Sequence, residues 1–194
     1  MVDTLLEGVN RISIDQLPDV NGDNTKNKAG DDGHELNGQS LEKLMFKALE
    51  AHSNKNFDGA ILIYSRILRM KLDKSLRSLV YNHRGMALFA QGDYSGAFNN
   101  FTKAIDFDAE NARAYINRGL ISRVQQHYDQ SLKDYDTAIS IRPEQMDGYW
   151  GRAQTCYDMK LFSRAIEDCE QALNLQPGFS PAIEFLKAVQ RATF

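Results

Sequence analysis

The sequence predicts an all-α fold, a stack of helix pairs in which each pair is too small to bury its own apolar face. Three observations carry that prediction. Tyr81, Arg84, Gly85 and Ala97 return as Tyr115, Arg118, Gly119 and Ser131, and after the same interval again as Tyr149, Arg152, Ala153 and Ala165. A fixed internal period of this length, roughly 34 residues, is the mark of a helical array that shares its core between neighbouring units. Within each unit a small residue on the first helix is set to face one on the second: Gly85 with Ala97, Gly119 with Ser131, Ala153 with Ala165. Small pairs let two helix backbones approach without leaving a void. Punctuation agrees, since Pro143 and Pro177 follow the second helices of two units and Gly92-Asp93 falls between the helices of another. Proline lacks an N–H and halts propagation, and glycine supplies a turn.

Residues 2–17 place Leu5, Leu6, Val9, Ile12, Ile14 and Leu17 among polar groups in a pattern partly helical and partly alternating. An unstructured tail and an arm that docks on the array or a partner both fit it. Residues 19–40 are rich in Gly, Asn, Asp and Lys, with Val20 and Leu36 as their large apolar side chains. Such a segment cannot bury enough surface to offset its ordering entropy, so residues 1–40 are expected to form a flexible arm and polar linker. Residues 41–194 form the repeat domain, with units at about 41–77, 78–111, 112–145 and 146–179. The first unit departs from the period: the interval from Ala60 to Ala97 is three positions longer than that from Ala97 to Ser131. The extra positions lie around Met70 to Leu76, in a longer second helix or an enlarged connection. After Phe179, Ser180-Pro181 suits a helix start, and residues 180–194 continue with helical periodicity as a terminal cap.

Each second helix carries Phe101, Tyr135 or Cys169 four places after its small residue, and Ala104, Ala138 or Ala172 three further on. With the Gly and Pro positions, these residues resemble the tetratricopeptide repeat family, over residues 41–179. The first unit matches less closely, through Ala48, Ala60, Tyr64 and Ile67. The resemblance implies a right-handed superhelical stack and a non-catalytic protein-interaction role as an adaptor or scaffold. A co-chaperone or secretion-type chaperone, and a self-assembling scaffold or homodimer using the groove or the N-terminal arm, are the alternatives it leaves. In such a stack the first helices line the concave face. Their inward stripe supplies Asn82, His83, Met86 and Phe89, then Ile116, Asn117, Leu120 and Val124, then Trp150, Gln154 and Tyr157. Apolar anchors interleaved with amides suit a peptide, with Asn82 and Asn117 bonding its main chain. Adaptors of Hsp90 and Hsp70 in this family grip a terminal carboxylate with a Lys/Asn/Asn/Lys/Arg clamp; here only Arg113 fits in one register and Asn117 in the other.

Charge and composition exclude other classes. With 23 basic and 26 acidic residues and a formal net charge of -3, no positive field exists to hold a phosphate backbone. No stretch reaches the length of apolar sequence that a membrane-spanning helix needs, and the opening MVDTLLEGVNRISID lacks the pattern of a secretory signal, so a cytoplasmic location is expected. Cys156 and Cys169 stand at repeated core positions and are expected to be reduced core thiols. His34-Glu35 has no second histidine at zinc-motif spacing, and Asp19, Asn21 and Asp23 lack the glycine and glutamate of a calcium loop, so neither metal nor cofactor is expected. His52 and His127 fall at inter-helix turns, where a solvated side chain is expected. Arg84, Arg118 and Arg152 recur opposite Asn100, Asp134 and Asp168, which suggests pairing between packed helices, with a basic stripe that reads an acidic ligand as the alternative.

Overall fold

The computed structural model describes residues 35–36 and 39–192; residues 2–17 and most of the polar segment lie outside the described residues. The chain divides into two compact units, with the boundary between Asp73 and Lys74. In the first, β1 (Glu35–Leu36) pairs antiparallel with β2 (Gln39–Ser40) ahead of α1 (Leu41–Ser53) and α2 (Phe57–Ile67). The end of the polar linker thus has structure where none was expected. The reason is local: Asn37-Gly38 separates the strands, and that dipeptide is a strong hairpin signal whatever the composition around it. Ser40 then caps α1 by accepting from the Lys43 amide.

Leu44, Met45 and Ala48 of α1 and Ala60, Tyr64 and Ile67 of α2 are all buried, the small pair Ala48 and Ala60 completely. The extra positions of the first unit do not lengthen α2, which has 11 residues against 14 in the later second helices. They fall instead in the connection 68–73 and in an early start to the next helix. His52 is also a correction. It is 4% exposed, with its ring edge-on to Phe57 at 5.4 Å, because it lies on the buried face of α1 with Leu41, Leu44, Met45 and Ala48. His127 is exposed as expected.

Burial lowers the His52 pKa from 6.5. The folded state therefore resists a proton that the unfolded state accepts. Stability is full above 6.5 and falls as pH drops below that value, by at most about 1.4 kcal/mol per pH unit for one proton. Thermal melts at pH 7.5 and 5.5 should show a larger acid loss for the wild type than for His52→Phe. Equal losses would show that His52 does not carry the effect.

The second unit holds α3 (Lys74–Ala90), α4 (Tyr94–Phe107), α5 (Ala112–Val124), α6 (Tyr128–Ile141), α7 (Met146–Asp158), α8 (Phe162–Leu175) and α9 (Ser180–Ala192). Each helix packs on the next in sequence, and α5 also packs on α7. All four hairpins of the described chain turn through a left-handed residue at the same place: Lys55, Gly92, Gln126 and Lys160, with φ of 59°, 85°, 61° and 62°. The following amide then closes back onto the first helix, as in His127 N to Ser122 O and Leu161 N to Cys156 O. Asp93 and Asn111 cap α4 and α5 by accepting from the Gly96 and Ala114 amides.

The small residues work somewhat differently from the facing pairs expected. A Cβ on Gly85 would meet the Phe101 ring at 2.6 Å, and one on Gly119 would meet the Tyr135 ring at 3.2 Å. Each glycine makes room for the aromatic residue of the second helix rather than for its alanine or serine. At the far end, α9 buries Ala182 and Val189, and Ala182 joins Ala153 and Cys169 in one core cluster with Trp150, Phe179 and Phe185 around it. Lys187 occupies the register of Ala153 and is exposed. Cys156 and Cys169 are free and buried, and burial pushes the Cys169 thiol up to about 11.

The arginines pair across helices. Arg118 Nε and Nη2 donate to the two carboxylate oxygens of Asp134 at 3.0 and 2.8 Å, and Arg152 grips Asp168 the same way at 2.9 and 2.6 Å. Arg84 Nε donates to Asn100 Oδ1 at 2.8 Å. Each guanidinium also lies over the tyrosine one turn before it: Tyr81, Tyr115 and Tyr149. The remaining arm reaches back to the previous unit, from Arg118 to Thr102 and from Arg152 to Asp136. Thr102 and Asp136 stand in the same register, so Thr102→Asp should give Arg118 the second anion that Arg152 already has. A gain of up to about 1 kcal/mol is expected, read as a higher urea midpoint; an unchanged or lower midpoint would count against the bridge.

Candidate protein-binding face

The first helices α3, α5 and α7 supply the residues expected to meet a ligand. On α3, Asn82, His83, Met86 and Phe89 are all buried, at 1%, 4%, 3% and 7% exposure. Asn117 on α5 is buried as well, and its Nδ2 donates to Asn82 Oδ1 at 2.9 Å. The two amides expected to bond a ligand main chain are therefore joined to each other and tie α3 to α5. What remains accessible lies further along. Ile116, Leu120 and Val124 on α5, with Trp150 and Gln154 on α7, are half-buried. Tyr157 is 37% exposed.

Trp150 meets Phe179 and Phe185 edge-on at 5.5 and 5.2 Å, and Tyr157 meets Phe162 and Phe185 at 5.7 and 5.3 Å. The aromatic end of the face is thus completed by α9. Phe185 is a residue that sequence reasoning assigned to the cap alone. The signal was present: Ser180 stands to Met146 as Met146 stands to Ala112, so Phe185 continues the register of Asn117 and Gly151. Polar groups interleave with these rings. Arg123 Nη1 donates to Asp158 at 2.9 Å across α5 and α7, and Gln145 Nε2 donates to Asp147 at 3.2 Å. Burial raises the Tyr135 hydroxyl well above its ordinary pKa, the field of Arg123 opposes this, and Asp134, Asp147 and Asp158 reinforce it. Among the described residues no cluster of His, Cys, Asp or Glu is placed to hold a metal ion, and no helix is long and apolar enough to cross a membrane.

Hairpins that repeat one register, glycines that admit a neighbour's ring and a further helix packed on the last hairpin define a helical-repeat protein. The sequence shows which kind. Residues 85–122 match a TPR repeat family model and residues 122–178 a tetratricopeptide repeat model, so the chain belongs to the tetratricopeptide repeat family, a family of protein-interaction modules. No curated protein matches the chain. Among solved structures, the first TPR of Spaghetti (RPAP3) bound to the HSP90 peptide SRMEEVD is 24% identical with a TM-score of 0.60, covering 61% of this chain and 94% of that one. The Arabidopsis OM64 TPR domain is 24% identical, TM-score 0.60, covering 61% and 98%. MamA from Desulfovibrio magneticus RS-1 is 15% identical, TM-score 0.67, covering 78% and 84%. At these identities the likeness is one of fold.

Proposed function

We propose that the chain is a non-catalytic adaptor that holds a peptide or helical segment of a partner protein on the face lined by α5 and α7. The observation that carries this reading is the stripe of Ile116, Leu120 and Val124, large apolar side chains left half-buried beside the exposed ring of Tyr157. Apolar groups that the core does not consume are what a binding surface supplies as anchors. Two similar structures are named for a bound peptide or a peptide-binding site, Spaghetti (RPAP3) and YrrB, which favours a peptide over other ligands. The carboxylate clamp is not favoured, since Asn117 is buried against Asn82.

The test is a partner-binding titration with Leu120→Glu combined with Tyr157→Ala. Loss of two central anchors should weaken binding by about 2 kcal/mol or more, roughly thirtyfold, while the far-ultraviolet dichroism stays unchanged. Undiminished binding would place the partner elsewhere on the molecule.

A further inference from the structure

Tyr135 shares its hydroxyl with Tyr64 of the first hairpin but departs from its counterparts in the hairpins on either side of it. It holds the register of Phe101 and Cys169, which carry no hydroxyl, and it is 1% exposed. Its ring runs from α6 past both neighbouring first helices. A Cβ on Gly119 of α5 would lie 3.2 Å from Cζ, and one on Gly151 of α7 would lie 2.7 Å from Oη. Gly151 stands at the inner-face position occupied by Asn117 in the unit before. The missing side chain there is the opening through which the phenol approaches that face.

At that opening the polar groups are incomplete. Arg123, Asp147 and Asp158 all act on the Tyr135 hydroxyl, and all three belong to α5 or α7. Arg123 is held by Asp158 through Nη1, yet its Nε is buried with no acceptor. None of the hydrogen bonds among the described residues reaches Tyr135 Oη. A buried donor left unmade costs free energy that a ligand acceptor would restore.

We propose that Tyr135 Oη and Arg123 Nε form a hydrogen-bonding subsite on the floor of the α5–α7 face, taking a main-chain carbonyl of a bound peptide; this rests on the reading of that face as the peptide site. One neutral and one cationic donor select an oxygen acceptor. Asp147 and Asp158 repel a carboxylate at the same place and can accept from the peptide N–H, so an amide suits the site better than an acid. The phenol is protonated, and so a donor, across the physiological range, and burial raises its pKa further.

The probe is a set of peptides selected from a random linear library displayed on phage, using the full chain as bait. Their affinities are then measured for the wild type, Tyr135→Phe, Arg123→Lys and the double variant Leu120→Glu with Tyr157→Ala. Tyr135→Phe removes only the hydroxyl, and Arg123→Lys keeps the charge facing Asp158 without Nε. Each should weaken the selected peptides roughly tenfold, with the melting temperature within a few degrees of wild type. The double variant should lose them altogether. Peptides that fail to bind the double variant but bind Tyr135→Phe and Arg123→Lys as tightly as wild type overturn the subsite and leave the face standing. Peptides that still bind the double variant, or a library that yields none, overturn both.

Discussion

Gly151→Ala should destabilise the second unit by about 1–2 kcal/mol, although alanine is the better helix former. The added Cβ would overlap Cε1 and Cζ of the Tyr135 ring, with Oη 2.7 Å away. That ring is 1% exposed and already confined on its other side by Gly119, so it has nowhere to retreat. Overpacking of this kind costs roughly 1–3 kcal/mol or more, and the helix-propensity gain of about 1 kcal/mol offsets only part of a severe clash. Gly119→Ala provides the control. Its Cβ would stand 3.2 Å from the same ring, a contact relieved by a shift of a few tenths of an ångström, so the propensity gain should nearly cancel the strain. Urea unfolding of the two variants should therefore separate clearly, Gly151→Ala falling and Gly119→Ala staying close to wild type. Combining Gly151→Ala with Tyr135→Leu should recover part of the loss, because the obstacle is then gone. If Gly151→Ala unfolds at the wild-type midpoint, the ring does not occupy that opening.

The hairpins were legible in the sequence because their cause is periodic. A ring on the second helix needs a gap on the first, and that need repeats in Gly85 with Phe101 and Gly119 with Tyr135. The turns were legible only at Gly92. Lys55, Gln126 and Lys160 adopt the same left-handed backbone without the residue that announces it, held by the bonds that close each first helix. The candidate face was legible in part. Periodicity names the stripe, but not which members other groups cover, so Asn82, His83, Met86 and Phe89 proved buried while Leu120 and Tyr157 kept accessible surface. Tyr135 is a core ring, as its register predicts, but the gap beside it could not be read from that register because Gly151 belongs to a different helix, α7. A core aromatic and a groove glycine read separately do not disclose that one passes through the gap left by the other.

The second large effect is expected at Asp134, whose removal in Asp134→Ala should cost about 2–3 kcal/mol. The carboxylate is 1% exposed and accepts three hydrogen bonds, two from Arg118 and one from Gln130 Nε2 at 3.0 Å. Alanine leaves the Arg118 guanidinium, itself mostly buried, with Thr102, the rings of Tyr115 and Phe98 and the more distant charge of Asp106. An uncompensated buried charge is costlier than the lost pair itself. The array contains its own comparison, because Asn100 accepts from Arg84 Nε through its amide oxygen. Asp134→Asn should therefore cost less than Asp134→Ala, about 1 kcal/mol, since an amide keeps one acceptor for Nε. Pairing Asp134→Leu with Arg118→Leu should destabilise less than either change alone, because no charge is then stranded. A thermal unfolding curve for Asp134→Ala that overlays the wild type would mean that the fork contributes nothing, and the ladder would then be decoration on an array held by its rings and small residues.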